Sequence, residues 1–276
     1  MLPVRVEYHG YSHYGKALFI ILLLTLSFCI PVSGAVSISV GNTTGAPAIK
    51  NATDYENQGK VLMAERDWSG VINSTNEGLG FYPDNPELLC LQGYAFRKTG
   101  HYQESVDLIS RAIPNDTRPV RYANRGYGYL AMGNARDAIR DADSALSLNS
   151  SYSTAYALKA SALQKMGNIS AAGDTIEKAL FFEPDNAYYL HIKGRILADS
   201  GNCTGAIEAY RHSITINPDY DHPWPGLPNA TEDLEKEEMR CAAKGVQTSP
   251  TRVAFPAAIV FLAEIIALVI VLRQPR

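Results

Sequence analysis

The sequence predicts an all-α protein built from stacked helix pairs, and two observations support this. A small residue recurs every 33 or 34 residues, at Gly59, Gly93, Gly126, Ala160 and Gly194. Around each of them, large and small residues follow at three- and four-residue steps, which is the spacing of one helix face. A fixed period of this length is typical of proteins in which each repeat packs on its neighbours.

Numbering each copy so that this small residue is position 8 divides residues 52–220 into five units. The units are 52–85, 86–118, 119–152, 153–186 and 187–220. Positions 4, 8 and 11 predict a first helix in each unit, and positions 20, 24 and 27 or 28 predict a second. The small residues at positions 8, 20 and 27 allow the two helices to approach closely.

The ends of the helices are also marked in the sequence. Position 15 holds Gly100, Gly133, Gly167 and Gly201, and Arg66 in the first unit. We predict that this position ends the first helix in a left-handed backbone conformation, which glycine adopts most easily. In the second unit Pro114 predicts an early end of the second helix, because proline cannot continue it, and this accounts for the interval of 33 residues.

These features together resemble the tetratricopeptide repeat family. Most copies share the family's small residue at position 8, its large residue at position 11 and its small residues at positions 20 and 27. Three copies share its proline at position 32, namely Pro83, Pro184 and Pro218. The resemblance implies a right-handed superhelix of about five helix-turn-helix repeats. Position 7 departs from the family because it is polar in every copy, and the glycine-rich second helix of the first copy fits a terminal capping unit.

The resemblance also implies a concave groove lined by the first helices, through positions 2, 5, 9, 12 and 13. We predict that the partner-binding residues are Tyr94, Arg97, Lys98, Tyr127, Lys165, Tyr188, His191 and Arg195. Aromatic rings would supply contact area and cations would anchor carboxylates of an extended peptide. Positions 5 and 9 do not match the set with which some family members clamp a C-terminal carboxylate. The alternative is a groove that stays wet or fills with the molecule's own tail.

Both ends of the chain predict targeting. Residues 1–34 are interpreted as a signal peptide, with the apolar run 17–30 followed by small residues suited to cleavage, and residues 35–51 as a linker. Residues 253–272 are long enough for a transmembrane helix, and residues 273–276 form a basic cytoplasmic tail. This predicts a single-pass type I membrane protein with the repeats outside the cell. An uncleaved signal anchor and a C-terminal sorting signal that is later removed are the alternatives.

Export is also indicated by eight Asn-X-Ser/Thr tripeptides, none of which has proline in the middle. The glycosylation candidates are Asn42, Asn51, Asn73, Asn115, Asn149, Asn168, Asn202 and Asn229. Together with the arginine-ended apolar tail, they resemble features of archaeal surface proteins.

Residues 221–252 follow the repeats as a proline-rich break, a short polar helix over 231–244 and a stalk. The helix would either cap the stack or belong to a loose stalk. Cys203 and Cys241 would either form a disulfide, which an oxidising compartment permits, or remain thiols.

No phosphate-binding loop, nucleophile motif or metal-ligand spacing accompanies the repeats, so we predict that the protein is not an enzyme and needs no cofactor or metal. A net charge of −3 is too small to favour nucleic acid or an anionic membrane surface as a partner, and we predict no nucleic acid partner. We therefore predict a protein-protein interaction scaffold at the extracytoplasmic face of the membrane, which binds a peptide or protein in its groove and the bilayer through 253–272. A structural component that self-associates, without a dedicated peptide ligand, is the alternative.

Overall fold

The computed structural model describes residues 50–246, which contain eleven α-helices and no strand. The predicted signal peptide, transmembrane helix and tail, together with nearly all of the linker, lie outside these residues. The first helices of the five pairs are α1 (Ala52–Ala64), α3 (Pro86–Lys98), α5 (Pro119–Ala131), α7 (Ser153–Lys165) and α9 (Ala187–Asp199). The second helices are α2 (Trp68–Phe81), α4 (Tyr102–Ala112), α6 (Ala135–Leu148), α8 (Ile169–Phe182) and α10 (Cys203–Ile216). A further helix, α11, spans Ala230–Ala243.

The ten paired helices form two rows. Each second helix packs between its own first helix and the first helix of the next pair, and consecutive first helices also touch one another. Among the described helices, no second helix contacts another second helix. The first helices therefore form the inner row of a curved stack, and their free faces line one continuous surface. The prediction of an all-α repeat fold is confirmed for this part of the chain.

The small residues at position 8 lie where two helices meet. A side chain added at Gly194 would come within 2.5 Å of the Tyr210 ring on α10, and one added at Gly126 would clash with Leu158. Tyr210 and Leu158 are themselves buried, so neither can move aside into solvent. The recurrence of glycine at this position is thus explained by the close approach of neighbouring helices.

The predicted turns are also confirmed. Gly100, Gly133, Gly167 and Gly201 have φ values between 78° and 88°. In the first repeat Arg66 adopts the same left-handed conformation, with φ of 59°, although it carries a side chain. In the second repeat α4 has 11 residues, while the other four second helices have 14 each. Pro114 lies just beyond its end, as the sequence predicts.

The helix α11 packs on the last repeat, mainly on α10, and so caps this end of the described stack. It begins one residue before the predicted helix and ends one residue earlier. Cys241 on this helix forms a disulfide with Cys203 on α10, with the two Cα atoms 5.9 Å apart. Its inward face contains Ala230 and Glu237 besides Cys241.

The asparagines of the predicted glycosylation sites lie on the surface. Six of the seven in the described residues are exposed, and Asn229 is half-buried. Four of them also begin helices, because the side-chain oxygens of Asn51, Asn168, Asn202 and Asn229 accept hydrogen bonds from backbone amides three residues on. Helix capping is therefore a second physical reason for the frequency of asparagine at these positions.

The described helices are all short or amphipathic. None between residues 50 and 246 has the length and apolar character needed to cross a bilayer. The predicted span at 253–272 and its four-residue tail begin beyond these residues, so they remain predictions.

Candidate functional site

The inner surface of the first helices is occupied by a segment of the same chain. Residues 217–229, which we call the strap, connect α10 to α11 and contact α3, α5 and α9. The strap includes Pro223, Pro225 and Pro228, which cannot continue a helix and favour extended backbone. The predicted groove therefore exists, but part of it is filled. The occupant is an internal segment, whereas the sequence had suggested only the tail as a possible occupant.

Two cations of α3 hold the strap. The Lys98 amino group contacts the Asp221 carboxylate at 2.6 Å and also donates to the backbone carbonyl of His222. Arg97 donates to the backbone carbonyl of Pro223 and, at 3.3 Å, to the Asn124 side chain. The Tyr94 hydroxyl donates to the same Asp221 oxygen at 3.0 Å. Neighbouring residues of one helix thus bind both a side chain and the backbone of an extended segment.

Aromatic rings enclose the cations. The Arg97 guanidinium lies 4.7 Å from the centre of the Tyr94 ring and 5.4 Å from that of Tyr127. Such cation-π contacts strengthen when the cation is removed from water. Tyr127 also faces Trp224 of the strap, with ring centres 6.3 Å apart. These aromatic residues form the floor on which the strap lies.

Burial in the site changes several pKa values. It lowers the pKa of Lys98 to about 8, although the Asp221 carboxylate opposes the shift. It also lowers the pKa of Arg97. Burial raises the pKa of Tyr94 and of Tyr188 to about 12 each, so both hydroxyls remain protonated at neutral pH. Tyr94 is therefore a hydrogen-bond donor to the carboxylate throughout the physiological range.

The strap is also fixed at its beginning and end. Tyr220 hydrogen-bonds through its hydroxyl to Nδ1 of His191, and Nε2 of the same ring lies 2.8 Å from Asp233 on α11. This geometry makes His191 a donor to Asp233 and an acceptor from Tyr220. Burial lowers the pKa of His191 despite the neighbouring carboxylate. His191 thus connects the strap to the capping helix.

Six of the eight predicted binding residues contact the strap, in two groups. Tyr94, Arg97, Lys98 and Tyr127 contact the strap segment 221–224, and Tyr188 and His191 contact Tyr220. Arg195 lies 4.0 Å from Asp233 on α11. Lys165 is exposed and lines a small cavity beside Trp224. The strap covers Arg97 and Lys98, which are 2% and 9% exposed; whether the eight residues bind a partner remains a prediction.

Open space remains on both sides of the strap. One cavity of about 450 Å³ is lined by Arg97, Tyr127, Tyr188 and Pro223 among others. A second, of about 510 Å³, is lined by Trp68, Glu87, Arg121 and Asp221 among others. Asn124 and Trp68 were not predicted as groove residues, although Asn124 neighbours both cavities. The strap contacts themselves had no sequence signal beyond the cluster of prolines and tryptophan.

Glu87 forms a network of charges at the edge of the second cavity. Its carboxylate lies 3.1 Å from Lys60, 2.7 Å from Arg118 and 2.5 Å from Arg121. Burial opposes ionisation of this carboxyl, but the hydrogen bonds from the three cations outweigh it and lower the pKa to about 2. The ionised carboxylate therefore stabilises the fold at neutral pH.

Acid should remove this stabilisation. Because the folded-state pKa is lowered from 4.5 to about 2, the contribution is complete above about pH 4.5 and is lost as the pH falls to 2. We expect Glu87→Gln to lower the free energy of unfolding at pH 7 by on the order of 2 kcal/mol, after allowance for partial solvent screening. Denaturant unfolding of the variant and the parent should converge near pH 2. Glu235→Gln, an exposed change on α11, is the control, and an equal effect of both changes at pH 7 would contradict the assignment.

The comparisons with known proteins agree with this fold. Two tetratricopeptide repeat models match residues 129–196 and 187–220. RNA polymerase II-associated protein 3 of Homo sapiens is 29% identical over 116 residues, which is 41% of this chain and 17% of that protein. Protein STIP1 homolog of Dictyostelium discoideum is 31% identical over 96 residues, or 34% of this chain and 17% of that protein. Hsp70-Hsp90 organizing protein 3 of Arabidopsis thaliana is 30% identical over 102 residues, 36% of this chain and 18% of that protein.

The matched segment thus spans less than a fifth of each of these relatives. Among solved structures, a thermophilic tetratricopeptide repeat protein of Thermus thermophilus is similar with a TM-score of 0.56 and 15% identity. That similarity covers 71% of this chain and 100% of the other. It concerns the fold alone. Residues 129–220 therefore carry tetratricopeptide repeats, and the described helices have the all-α fold of such repeats.

Proposed function

We propose that this protein is a non-enzymatic protein-protein interaction scaffold whose concave groove binds an extended segment of a partner protein. The observation that carries the proposal is the strap, an extended segment held in the groove by Tyr94, Arg97 and Lys98. Two of these side chains bind backbone carbonyls, which any extended peptide presents. The name of the relative Hsp70-Hsp90 organizing protein 3 fits a scaffold role.

The test is selection of peptides on the protein. We call the 276-residue chain carrying Asp221→Asn and Trp224→Ala the opened variant. These changes weaken the strap without altering the helices of the groove. A random peptide library should be screened for binding to this variant. We expect the screen to enrich peptides that bind the opened variant. Adding Arg97→Gln to this variant should lower its affinity for these peptides about tenfold, the effect of losing one charge-assisted hydrogen bond.

The control is Arg136→Gln. Arg136 is an exposed arginine on α6, the second helix of the third pair, and lies outside the groove. It should leave the affinity of the selected peptides unchanged. If no peptide is enriched, or if both arginine changes have the same effect, the groove does not bind peptides and the structural, self-associating alternative is favoured.

We further propose that the repeats lie at the extracytoplasmic face of a membrane, with residues 253–272 as the anchor. The Cys203–Cys241 disulfide supports this location, because disulfides persist in oxidising compartments. The exposed asparagines of the glycosylation tripeptides support it as well. A glycan would be attached to the side-chain nitrogen, which leaves the capping oxygen of Asn168 and Asn202 free for its backbone hydrogen bond.

Glycosylation is tested most cleanly through the third residue of each tripeptide. In an N-glycosylating host, the chain should show a gel shift that glycosidase removes. Ser170→Ala with Thr204→Ala should reduce this shift by two glycans while keeping both capping asparagines. A chain without any glycan in its native host would contradict the extracytoplasmic location.

A further inference from the structure

We infer that the groove recognises an acidic–X–Pro–aromatic sequence in its partner, and that Asp221-His222-Pro223-Trp224 is an intramolecular copy of this sequence that the partner displaces. The inference rests on the function proposed above and specifies the chemistry of the peptide. Each of the three defined positions is supported by its own contacts.

The acidic position is bound by two hydrogen-bond donors on one helix. The Lys98 amino group and the Tyr94 hydroxyl both contact the same oxygen of Asp221, at 2.6 and 3.0 Å. The Lys98 side chain is 5% exposed, whereas the Asp221 side chain is 44% exposed. With the strap in place the cation is thus covered, while the carboxylate that contacts it remains partly open to solvent.

The proline position is favoured by the backbone. Pro223 is buried against the groove, and its carbonyl accepts a hydrogen bond from Arg97. A proline has no amide hydrogen, so its burial leaves no donor without a partner. It also biases the residue before it towards extended backbone, which presents the carbonyl of His222 to Lys98. Another residue at this position would bring an amide that the contacts seen here do not satisfy.

The aromatic position packs on the floor of the groove. Trp224 packs against the buried cluster of Tyr127, Leu130 and neighbouring alanines. Its ring centre lies 6.3 Å from that of Tyr127, in a tilted arrangement. Tilted aromatic pairs at this distance are favourable beyond the area that they bury. The same Tyr127 ring also faces Arg97, so the aromatic and backbone contacts are adjacent.

The strap leaves several groups of the groove poorly matched. Arg97 has no carboxylate partner among the described residues, although it is buried. Its Nε atom and Nδ1 of His222 are both buried without a hydrogen-bond partner in this part of the chain. The two cavities beside the strap leave room for a longer peptide. A partner whose residue at the X position leaves fewer buried groups without a hydrogen bond, or whose flanking residues fill these cavities, would therefore compete with the strap.

The experiment uses a fluorescein-labelled peptide with the sequence of residues 219–227, titrated by fluorescence polarisation against the 276-residue chain and its opened variant. We expect binding to the opened variant and at least about tenfold weaker binding to the unmodified chain, because the strap competes. Peptides with Asn in place of Asp221, or Ala in place of Trp224, should each bind the opened variant about tenfold more weakly. Adding Lys98→Gln to the opened variant should abolish the preference for Asp over Asn, and Arg136→Gln should not.

A second measurement uses the unmodified chain. Saturating peptide should increase hydroxyl-radical labelling of the half-buried side chains of Trp224 and Leu227, measured by mass spectrometry, since a displaced strap returns to water. This readout applies even if the opened variant fails to fold.

Three outcomes would overturn the inference. The first is equal affinity for all the peptides, the second is unchanged side-chain labelling of the strap at saturation, and the third is a dimer of the opened variant that exchanges straps and excludes the peptide. These outcomes are separable from failure of the proposed function. If the library yields Arg97-dependent peptides without the acidic–X–Pro–aromatic sequence, only the inference fails. If the library yields none, the proposed function fails.

Discussion

Reduction of the Cys203–Cys241 disulfide is expected to make local unfolding of α11 easier by about 3–4 kcal/mol. The bond closes a loop with a sequence separation of 38 residues, and the loop entropy released in the unfolded state is about 4 kcal/mol for a loop of this length. The effect should be local, because α11 lies at the end of the described stack and contacts only α9 and α10 among its helices.

Hydrogen exchange measures this prediction directly. Amides of 230–243 should exchange faster after addition of dithiothreitol or in Cys203→Ser with Cys241→Ser, while amides of α5 and α6 should be unaffected. Cys90→Ala, which removes the buried free cysteine, should respond to dithiothreitol as the parent does. The Cys241 sulfur lies 3.3 Å from the Glu237 carboxylate, so the thiol formed on reduction gains an S–H group that can donate to this carboxylate. Unchanged exchange in α11 would show that its packing alone holds it.

Gly194→Ala is expected to destabilise the last repeat by about 2–3 kcal/mol, the usual cost of overpacking a buried contact. The added methyl group would lie 2.5 Å from two carbons of the Tyr210 ring. Tyr210 is 2% exposed and its ring faces His191, so it cannot rotate into solvent. The backbone of α9 would have to move away from α10.

Gly173→Ala is the matched control. Gly173 is also inside a helix, α8, but the nearest atom to an added methyl group is 4.0 Å away. Replacing a helical glycine by alanine without a clash should stabilise by about 0.5–1 kcal/mol. Denaturant unfolding followed by circular dichroism should therefore show opposite signs for the two variants. The same sign and size for both would mean that the helix contact at Gly194 is looser than described.

The sequence predicted the helix pairs well because their determinants are local. The spacing around Gly194 and the turn at Gly201 need only the neighbouring residues to be interpreted. Even Arg66, which breaks the glycine pattern, was located correctly at a turn. The disulfide was left open because two cysteines alone do not reveal whether their Cα atoms approach each other.

The candidate site was predicted in part, for a different physical reason. The resemblance to tetratricopeptide repeats, and not the helical spacing alone, assigned Tyr94, Tyr127 and Arg97 to the inner surface, where all three contact the strap. It could not show that Arg97 and Lys98 are covered, because the covering residues follow more than 120 positions later. Proline-rich segments carry no periodic pattern that would indicate where they pack. The sequence therefore left open what fills the groove, and the structure shows an internal segment there.

The tethering of the strap at both ends has a quantitative consequence for any ligand. The strap begins where α10 ends and ends where α11 begins, and the disulfide joins α11 to α10. A released strap therefore stays near the groove at an effective concentration of about 1 mM, the value typical of short flexible connections. An external peptide of equal intrinsic affinity would half-occupy the groove only near that concentration. Partners that present several copies of the sequence reach such local concentrations, whereas dilute free peptides do not.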